Sequence, residues 1–497
     1  MWDAPLTIYQ YVLLVYFSGL NLLYAMFCCL GLRESVVIFA REFSQGTLRD
    51  MLERDVYKPV SILVPAFNEE VSVVDSVSAL LALQFPEFEV IVVSDGSDDL
   101  TIPNLIEAFA LVEQPWDARQ DLRTAPVRRT FRSLTHPNLV VVDKDNGGKA
   151  DSLNAGLNIA RYPLFAAVDA DSMLDAEAIL RATRLFVEDD DLVAVGGTIR
   201  PLNAAVVENG KVSQLVLPKK WIERFQVLEY ARAFFTGRAG WSHFKSLLII
   251  SGAFGLFRRT AVLEAGGFLV GTVSEDMELV VRLHKHFRRL KKPYSIRFAP
   301  DPICWTEVPS DYSTLRKQRN RWHRGLCETL WKHKDMLFNP RYGRLGLIAV
   351  PYFWFFEALA PLVEMSGYVI VVLGLFFGFL SPRFAVMFVL LAVLYGVLLS
   401  QLATGIETFL ATRYPRMRDR SIVFLAAFFE FLGYRQLLAF ERTLATIQVQ
   451  WKKGKWGRMK RKGISGPDTT TTRPPGDGGG PDGDLAGEPR TPVGAGR

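Results

Sequence analysis

Residues 138–172 read NLVVVDKDNGGKADSLNAGLNIARYPLFAAVDADS. The stretch opens on a β-branched run, Leu139–Val142, that stops in the polar cluster DKDNGG. KADSLNAGLNIAR (149–161) reads as a helix, and LFAAVDADS (164–172) is a second apolar run that stops at two aspartates. A strand, a helix and a strand, each strand ending in Asp, Asn or Gly, predict a largely parallel sheet covered by helices on both faces. In open sheets of that kind, ligands bind beyond the carboxyl ends of the strands.

The same design lies upstream. VSILVPAF (60–67) is a short β-branched run, EEVSVVDSVSALLALQ (69–84) follows with apolar residues at helical spacing, and FEVIVVSDGS (88–97) is another buried strand ending in turn residues. Four strand ends therefore carry polar groups: PAFNEE (65–70) with Asn68 and Glu69, SDGSDD (94–99) with Asp95, DNGGKADSLNAG (145–156) with Lys149, and VDADS (168–172) with Asp169 and Asp171. Two hard carboxylates one residue apart at a strand end can share one divalent cation, Mg2+ or Mn2+, which also grips a diphosphate. Any one of these ends read alone is an ordinary turn with solvated acids. Together they make a site.

The rest of the 497-residue chain reads as membrane protein. Ala4–Leu32 carries no charge, Leu345–Pro382 carries only Glu357 and Glu364, and Phe384–Ile406 carries none. Each is as long as the roughly 20 residues a bilayer crossing needs. The first is too long, and too poor in basic residues ahead of it, for a cleaved leader, and reads as a retained anchor. Residues 421–443 carry Glu430, Arg435, Glu441 and Arg442, and read as a short re-entrant or interfacial element. Pro351 and Pro361 set residues 345–360 along the membrane before the true span begins.

Cys28, Cys29, Cys304 and Cys327 form neither a disulfide framework nor a metal spacing, which fits a reducing compartment. The net charge is +6, with the cations gathered at Arg413, Arg416, Arg418 and Arg420 and from Lys452 to Lys462. Basic clusters beside apolar spans mark the cytoplasmic face rather than a nucleic-acid surface. The expected organisation is an anchor at 1–32, an interfacial linker at 33–58, a soluble α/β domain at 59–340, interfacial and transmembrane helices at 341–443, a basic amphipathic segment at 444–462 and a tail at 463–497 too poor in apolar residues to fold alone.

Two further stretches complete the picture. GTVSEDMELVVRLHKH (271–286) places Glu275 and Asp276 at the start of a helix, where a carboxylate is commonly only a cap. RKQRNRWHRG (316–325) sets a tryptophan among cations at the edge of the membrane block. By itself it is a basic amphipathic helix on anionic lipid. Its chemistry also suits a phosphorylated sugar: guanidinium groups neutralise phosphate in a forked geometry, and an indole offers a flat apolar face to a sugar ring.

From 59 to about 325, these residues resemble the family 2 glycosyltransferases of GT-A fold. The resemblance implies an α/β domain inserted between transmembrane helices, with Asn68, Glu69 and Asp95 at the uridine of a UDP-sugar and Lys149 beside the nucleotide. It implies metal ligation by Asp169 and Asp171, and a general base from the S-E-D motif, Glu275–Asp276, where Ser274 replaces the commoner Thr. SGAFGLFRR (251–259) resembles the stretch that lines the acceptor site. Gln318, Arg321 and Trp322 spell the Q-x-x-R-W motif of membrane-embedded polysaccharide synthases: Trp322 holds the acceptor end, and Arg321, with Arg319, assists the leaving UDP. The implied activity is an inverting transfer from UDP-GlcNAc or UDP-glucose to a growing β-linked polysaccharide at the cell membrane. Membrane lipids and accessory export subunits are its expected partners. The same motif also serves enzymes that add one sugar to a lipid. A catalytically dead scaffold is disfavoured by the intact acids. The donor sugar and the role of the insertion 114–138 stay open.

Overall fold

The computed structural model describes residues 3–44, 48–115, 119–208, 211–378, 380–391, 396–398, 400–402, 405 and 417–449. Twelve strands are present among them: β1 (Val60–Ala66), β2 (Phe88–Asp95), β3 (Leu111–Glu113), β4 (Val127–Ser133), β5 (Leu139–Lys144), β6 (Leu164–Val168), β7 (Ser172–Leu174), β8 (Leu192–Pro201), β9 (Ala205–Glu208), β10 (Lys211–Leu215), β11 (Phe254–Arg258) and β12 (Ser295–Thr306). Ten form one sheet in the order β3-β4-β5-β2-β1-β6-β11-β8-β12-β7, and β9 pairs with β10 in a separate hairpin.

The sheet has a parallel centre. β5, β2, β1 and β6 run the same way, with Ile62 opposite Val90 and Leu63 opposite Ala167. Their side chains are buried almost throughout, because helices such as Val73–Leu81 and Lys149–Ile159 cover the faces. The expected α/β class holds, while the sheet as a whole is mixed rather than mostly parallel. β3, β4, β7 and β11 pair antiparallel with their neighbours, and β12 returns to run parallel to β8. β4, VRRTFRS, comes from the insertion; its polar residues suit a strand near the sheet edge with only Phe131 and Ser133 buried.

Three helices among the described residues are long and apolar enough to cross a membrane: Thr7–Glu34, Leu345–Phe377 and Arg418–Gln448. The first belongs to one helix, Asp3–Ser44, that runs through the expected boundary at 32. Its later turns enter the hydrophobic core of the sheet domain. Phe27 is 2% exposed and packs on Trp241 (ring centroids 4.9 Å apart) and on Tyr352 (5.8 Å). Gly31 is where the helix touches the Ala233–Arg238 segment: a Cβ there would lie 2.0 Å from the Phe235 carbonyl oxygen. The start of the second span is likewise part of that core, since Leu345, Ala349, Val350, Tyr352, Phe353 and Ala358 pack within it.

The third candidate span is interrupted. Leu432 and Gly433 leave helical geometry, and the helix resumes as Arg435–Gln448 against the Tyr312–Lys332 helix. Tyr312 and Glu441, Asn320 and Gln448, and His323 and Thr446 join the two. Residues 384–409 are described only in part, and the basic segment beyond 449 and the tail 463–497 lie outside the described residues.

Candidate active site

The carboxyl ends of β1, β2, β5 and β6 open into one cavity of about 820 Å³. Glu69, Asp95, Lys149, Asp169, Asp171, Glu275, Asp276, Gln318, Arg321 and Trp322 all line it. Asn68 and Arg319, also expected at the site, lie outside its lining. Asn68 adopts a left-handed φ of 55°, and its amide exchanges hydrogen bonds with Asp98, donating to Oδ1 at 2.5 Å and accepting from the backbone N–H at 3.0 Å. It locks the first two strand ends together instead of facing the cavity.

The strand-end side of the cavity is held from beneath by a buried ion cluster. Lys144, the last residue of β5, is fully buried and places its Nζ 2.7 Å from both Asp95 Oδ1 and Asp151 Oδ2. Asp95 also accepts the N–H groups of Gly147 (2.9 Å) and Gly148 (2.8 Å), while Asn146 donates to its carbonyl. Both Asp95 oxygens are thus engaged in shaping the glycine loop. Asp151 accepts the Ala125 N–H, which ties the insertion to the same cluster. Leu122 and Asn158 exchange a further pair of bonds there, and Arg259 pairs with Asp121. The insertion 114–138 therefore supplies β4 and a strap on the Lys149 helix.

Lys149 lies among the acids. Its Nζ is 2.6 Å from Asp169 Oδ1, 3.1 Å from Glu275 Oε1 and 3.1 Å from the Gly252 carbonyl oxygen. Burial alone would lower its pKa, but the carboxylates of Asp169 and Glu275 outweigh it and raise the ammonium well above its ordinary range. Asp276 shifts upward to about 6, because burial and then the Glu275 charge disfavour its anion, while Lys149 and the Met277 N–H (2.8 Å) oppose the shift. A carboxylate poised near neutrality in a cleft is equipped to take a proton.

β6 is buried along its length, so Asp169 is the first side chain to emerge beyond the sheet, and Asp171 follows into the same cavity. No group of three or more His, Cys, Asp and Glu side chains gathers into a metal site among the described residues. Two hard carboxylates at an open cavity nonetheless fit Mg2+ or Mn2+, which are commonly held by one or two carboxylates with substrate phosphates completing the shell.

The rest of the cavity wall is built largely on helices. The Tyr312–Lys332 helix, capped where Asp311 accepts the Thr314 N–H at 2.9 Å, buries Leu315, Gln318, Arg319 and His323 and turns Arg321 and Trp322 to the cavity. Trp322 is 40% exposed. Its indole lies under the Arg319 guanidinium, 4.3 Å from Cζ to ring centroid, and is nearly parallel to Tyr230 (25°, 6.4 Å). Arg319 itself is committed to Glu229, with Nη2 2.7 Å from Oε2. It braces the tryptophan, and Arg321 is the arginine of the pair that reaches the cavity.

Sequence reading missed four residues. Lys144 left a signal, a cation ending a strand of valines. Glu229, Tyr230 and Arg238 left none, because the segment that carries them matched no motif. Arg238 lines the cavity near Asp276, rests over Phe234 at 3.8 Å, and has a buried Nε without a hydrogen-bond partner among the described residues. Burial lowers its pKa to about 10, so it stays a cation.

The strand ends thus gather acids and a lysine over a glycine loop, and a buried carboxylate and an indole line the same cavity. The description "Glycosyl transferase family 2" matches residues 61–263, and "Glycosyl transferase family group 2" matches residues 164–399. The two matches together run from residue 61 to 399, and the chain is a glycosyltransferase of family 2. It is 26% identical over 381 residues to a poly-β-1,6-N-acetyl-D-glucosamine synthase of Staphylococcus epidermidis, covering 75% of this chain and 80% of the relative. It is 26% identical over 277 residues to synthases of the same name from Staphylococcus aureus, spanning 56% of each chain. Among solved structures, a mannosyltransferase of Pyrobaculum calidifontis in complex with GDP-mannose and Mn2+ matches at 16% identity and TM-score 0.44, covering 87% of this chain and 99% of its own.

Proposed function

We propose that the protein extends a β-linked polysaccharide at the cell membrane, taking the sugar from a UDP-sugar, UDP-GlcNAc before UDP-glucose. The observation that carries this reading is the continuity of the cavity: Asp95, Asp169, Asp276 and Trp322 line one space of about 820 Å³. A nucleotide, a reacting sugar and an acceptor end fit there together. The relatives' names favour a polymer of N-acetylglucosamine.

The acceptor hydroxyl oxygen attacks C1 of the donor sugar, and the bond from C1 to the β-phosphate oxygen breaks, with its electron pair leaving on UDP. Asp276 takes the hydroxyl proton, and the single displacement inverts C1. Lys149 holds Asp169 and Glu275 in place beside it. Arg321 meets the charge growing on the leaving diphosphate. A Mg2+ or Mn2+ ion on Asp169 and Asp171 supplies Lewis-acid charge at that diphosphate when bound. Trp322, fixed between Arg319 and Tyr230, holds the acceptor ring by its apolar face.

UDP-sugars are cytosolic, so the domain 59–340 faces the cytosol and the N-terminus lies outside. With 355–380 and 384–409 as a membrane hairpin, the basic run around Arg413–Arg420 stays inside, as the positive-inside tendency prefers. The break at Leu432–Gly433 favours a re-entrant element for 421–443, its second half returning to the catalytic helix.

One observation favours a second reading, transfer of a single sugar to a membrane lipid: the Arg435–Gln448 helix lies against the helix that bears Trp322. UDP release across UDP-GlcNAc, UDP-glucose, UDP-galactose and UDP-glucuronate, with the products of labelled donor sized afterwards, decides between them. A ladder of long chains from UDP-GlcNAc is the expected result. One lipid-extractable product would replace the polymer with the lipid acceptor, and no UDP release from any donor would leave a scaffold.

A further inference from the structure

The helix that begins near Arg418 breaks beside the acceptor side of the cavity. Gly433 has φ 114° and ψ −51°, which an L side chain rarely adopts, and Leu432 has φ −105° and ψ 71°. Backbone freed within a membrane helix must find new partners. Here the Gly433 N–H donates to the Gln436 side chain at 2.8 Å.

Two polar contacts join this break to the Trp221–Arg232 helix. Arg232 forms a forked pair with Glu430, at 2.6 and 3.0 Å. One turn along the break, the Tyr434 hydroxyl donates to Glu229 Oε2 at 3.1 Å, and its ring packs on Phe225 at 4.9 Å. The same Glu229 oxygen accepts from Arg319 Nη2, and Arg319 lies over Trp322. Tyr434, Glu229, Arg319 and Trp322 make an unbroken chain from the membrane break to the acceptor site.

We infer that Tyr434, acting through Glu229 and Arg319, is a positioning residue that sets the Trp322 indole against the end of the glycan and so governs how long the product is retained between additions. The inference rests on the polysaccharide reading. The hydroxyl is not needed to hold the two helices together: the Arg232–Glu430 pair and the apolar cluster of Leu228, Val423, Ala426 and Ala427 already do so. It is the added tie that reaches the residue gripping Arg319. Retention is a race between the next transfer and departure of the chain. A tryptophan free to tilt loses that race more often, while the rate of each transfer, set by Asp276 and the donor site, is unchanged.

The test compares wild type with Tyr434→Phe in the full-length protein in lipid vesicles, with UDP-GlcNAc as donor. We expect an initial rate of UDP release within about twofold of wild type, an unchanged donor KM, and product chains about threefold shorter or more, the low end of the net worth of one hydrogen bond. Gly433→Ala, which disfavours the break itself, should shorten the chains in the same direction. An unchanged length distribution in Tyr434→Phe overturns the inference, and so does a parallel loss of UDP release and thermal stability, which would make the contact merely structural. A wild-type product without any ladder overturns the polysaccharide reading and this inference with it. A wild-type ladder that Tyr434→Phe does not shorten overturns this inference alone.

Discussion

The proposed function gives the cavity a donor side and an acceptor side, and the two are built on different principles. The donor side hangs from the ends of parallel strands, and its loops are fixed by a buried cation, Lys144, whose partners Asp95 and Asp151 lie on the next strand and the next helix. The acceptor side is assembled from helices far apart in sequence: Glu275–Leu290, Tyr312–Lys332, Trp221–Arg232 and the broken membrane segment near Gly433. On the proposed function, nucleotide binding is a property of the sheet itself, and acceptor placement depends on how that sheet sits against the long apolar helices.

Substitutions that separate the two sides test this contrast. Asp276→Asn should have the largest effect, lowering turnover by about 10²–10⁴-fold, the usual contribution of a general base, with UDP affinity retained in calorimetry. A comparable loss of UDP affinity would place Asp276 on the donor side instead. Lys144→Met should come next. It strands two buried carboxylates at a cost of about 3–5 kcal/mol, and both the unfolding midpoint and UDP binding should fall together. If stability fell while UDP affinity held, the ion cluster would have no part in shaping the glycine loop.

Trp322→Ala should shorten the product and slow chain extension, by less than Asp276→Asn does, and leave UDP binding largely intact, with Arg324→Ala, one turn from the cavity lining, as a nearly silent control. Equal losses in both variants would return RKQRNRWHR to a lipid-facing role. The smallest effect is one of pH. Asp276 accepts the proton only as an anion, and burial raises its pKa to about 6, so kcat/KM should be full above that value and fall about tenfold per unit below it. The limb should vanish in Asp276→Asn, whose residual rate has no such group to titrate.

The same contrast explains what could be read from sequence. The donor side was legible because each strand and its polar end are contiguous: VSILVPAF before Asn68 and Glu69, LFAAV before Asp169 and Asp171. The antiparallel flanks were hidden. VRRTFRS is too polar to announce β4, and β11 lies inside a stretch that reads first as acceptor lining. Motifs found Asp276 and Trp322, but nothing local could reveal the partners that orient them. Glu229 lies 90 residues from Arg319 and 205 from Tyr434. Arg319 was misplaced for the same reason: its charge suits a diphosphate, and only the fold shows that Glu229 already holds it.

Phe27 bears on how the chain comes to be folded. It lies within an apolar helix suited to the bilayer, yet its ring is interior to the catalytic domain beside Trp241 and Tyr352. The anchor leaves the ribosome before the domain it completes, and Tyr352 arrives only after the whole sheet has been made. The aromatic core is therefore complete only once both of these helices, each long and apolar enough to cross a membrane, have been made, and removing the first would expose an aromatic socket at the base of the sheet domain.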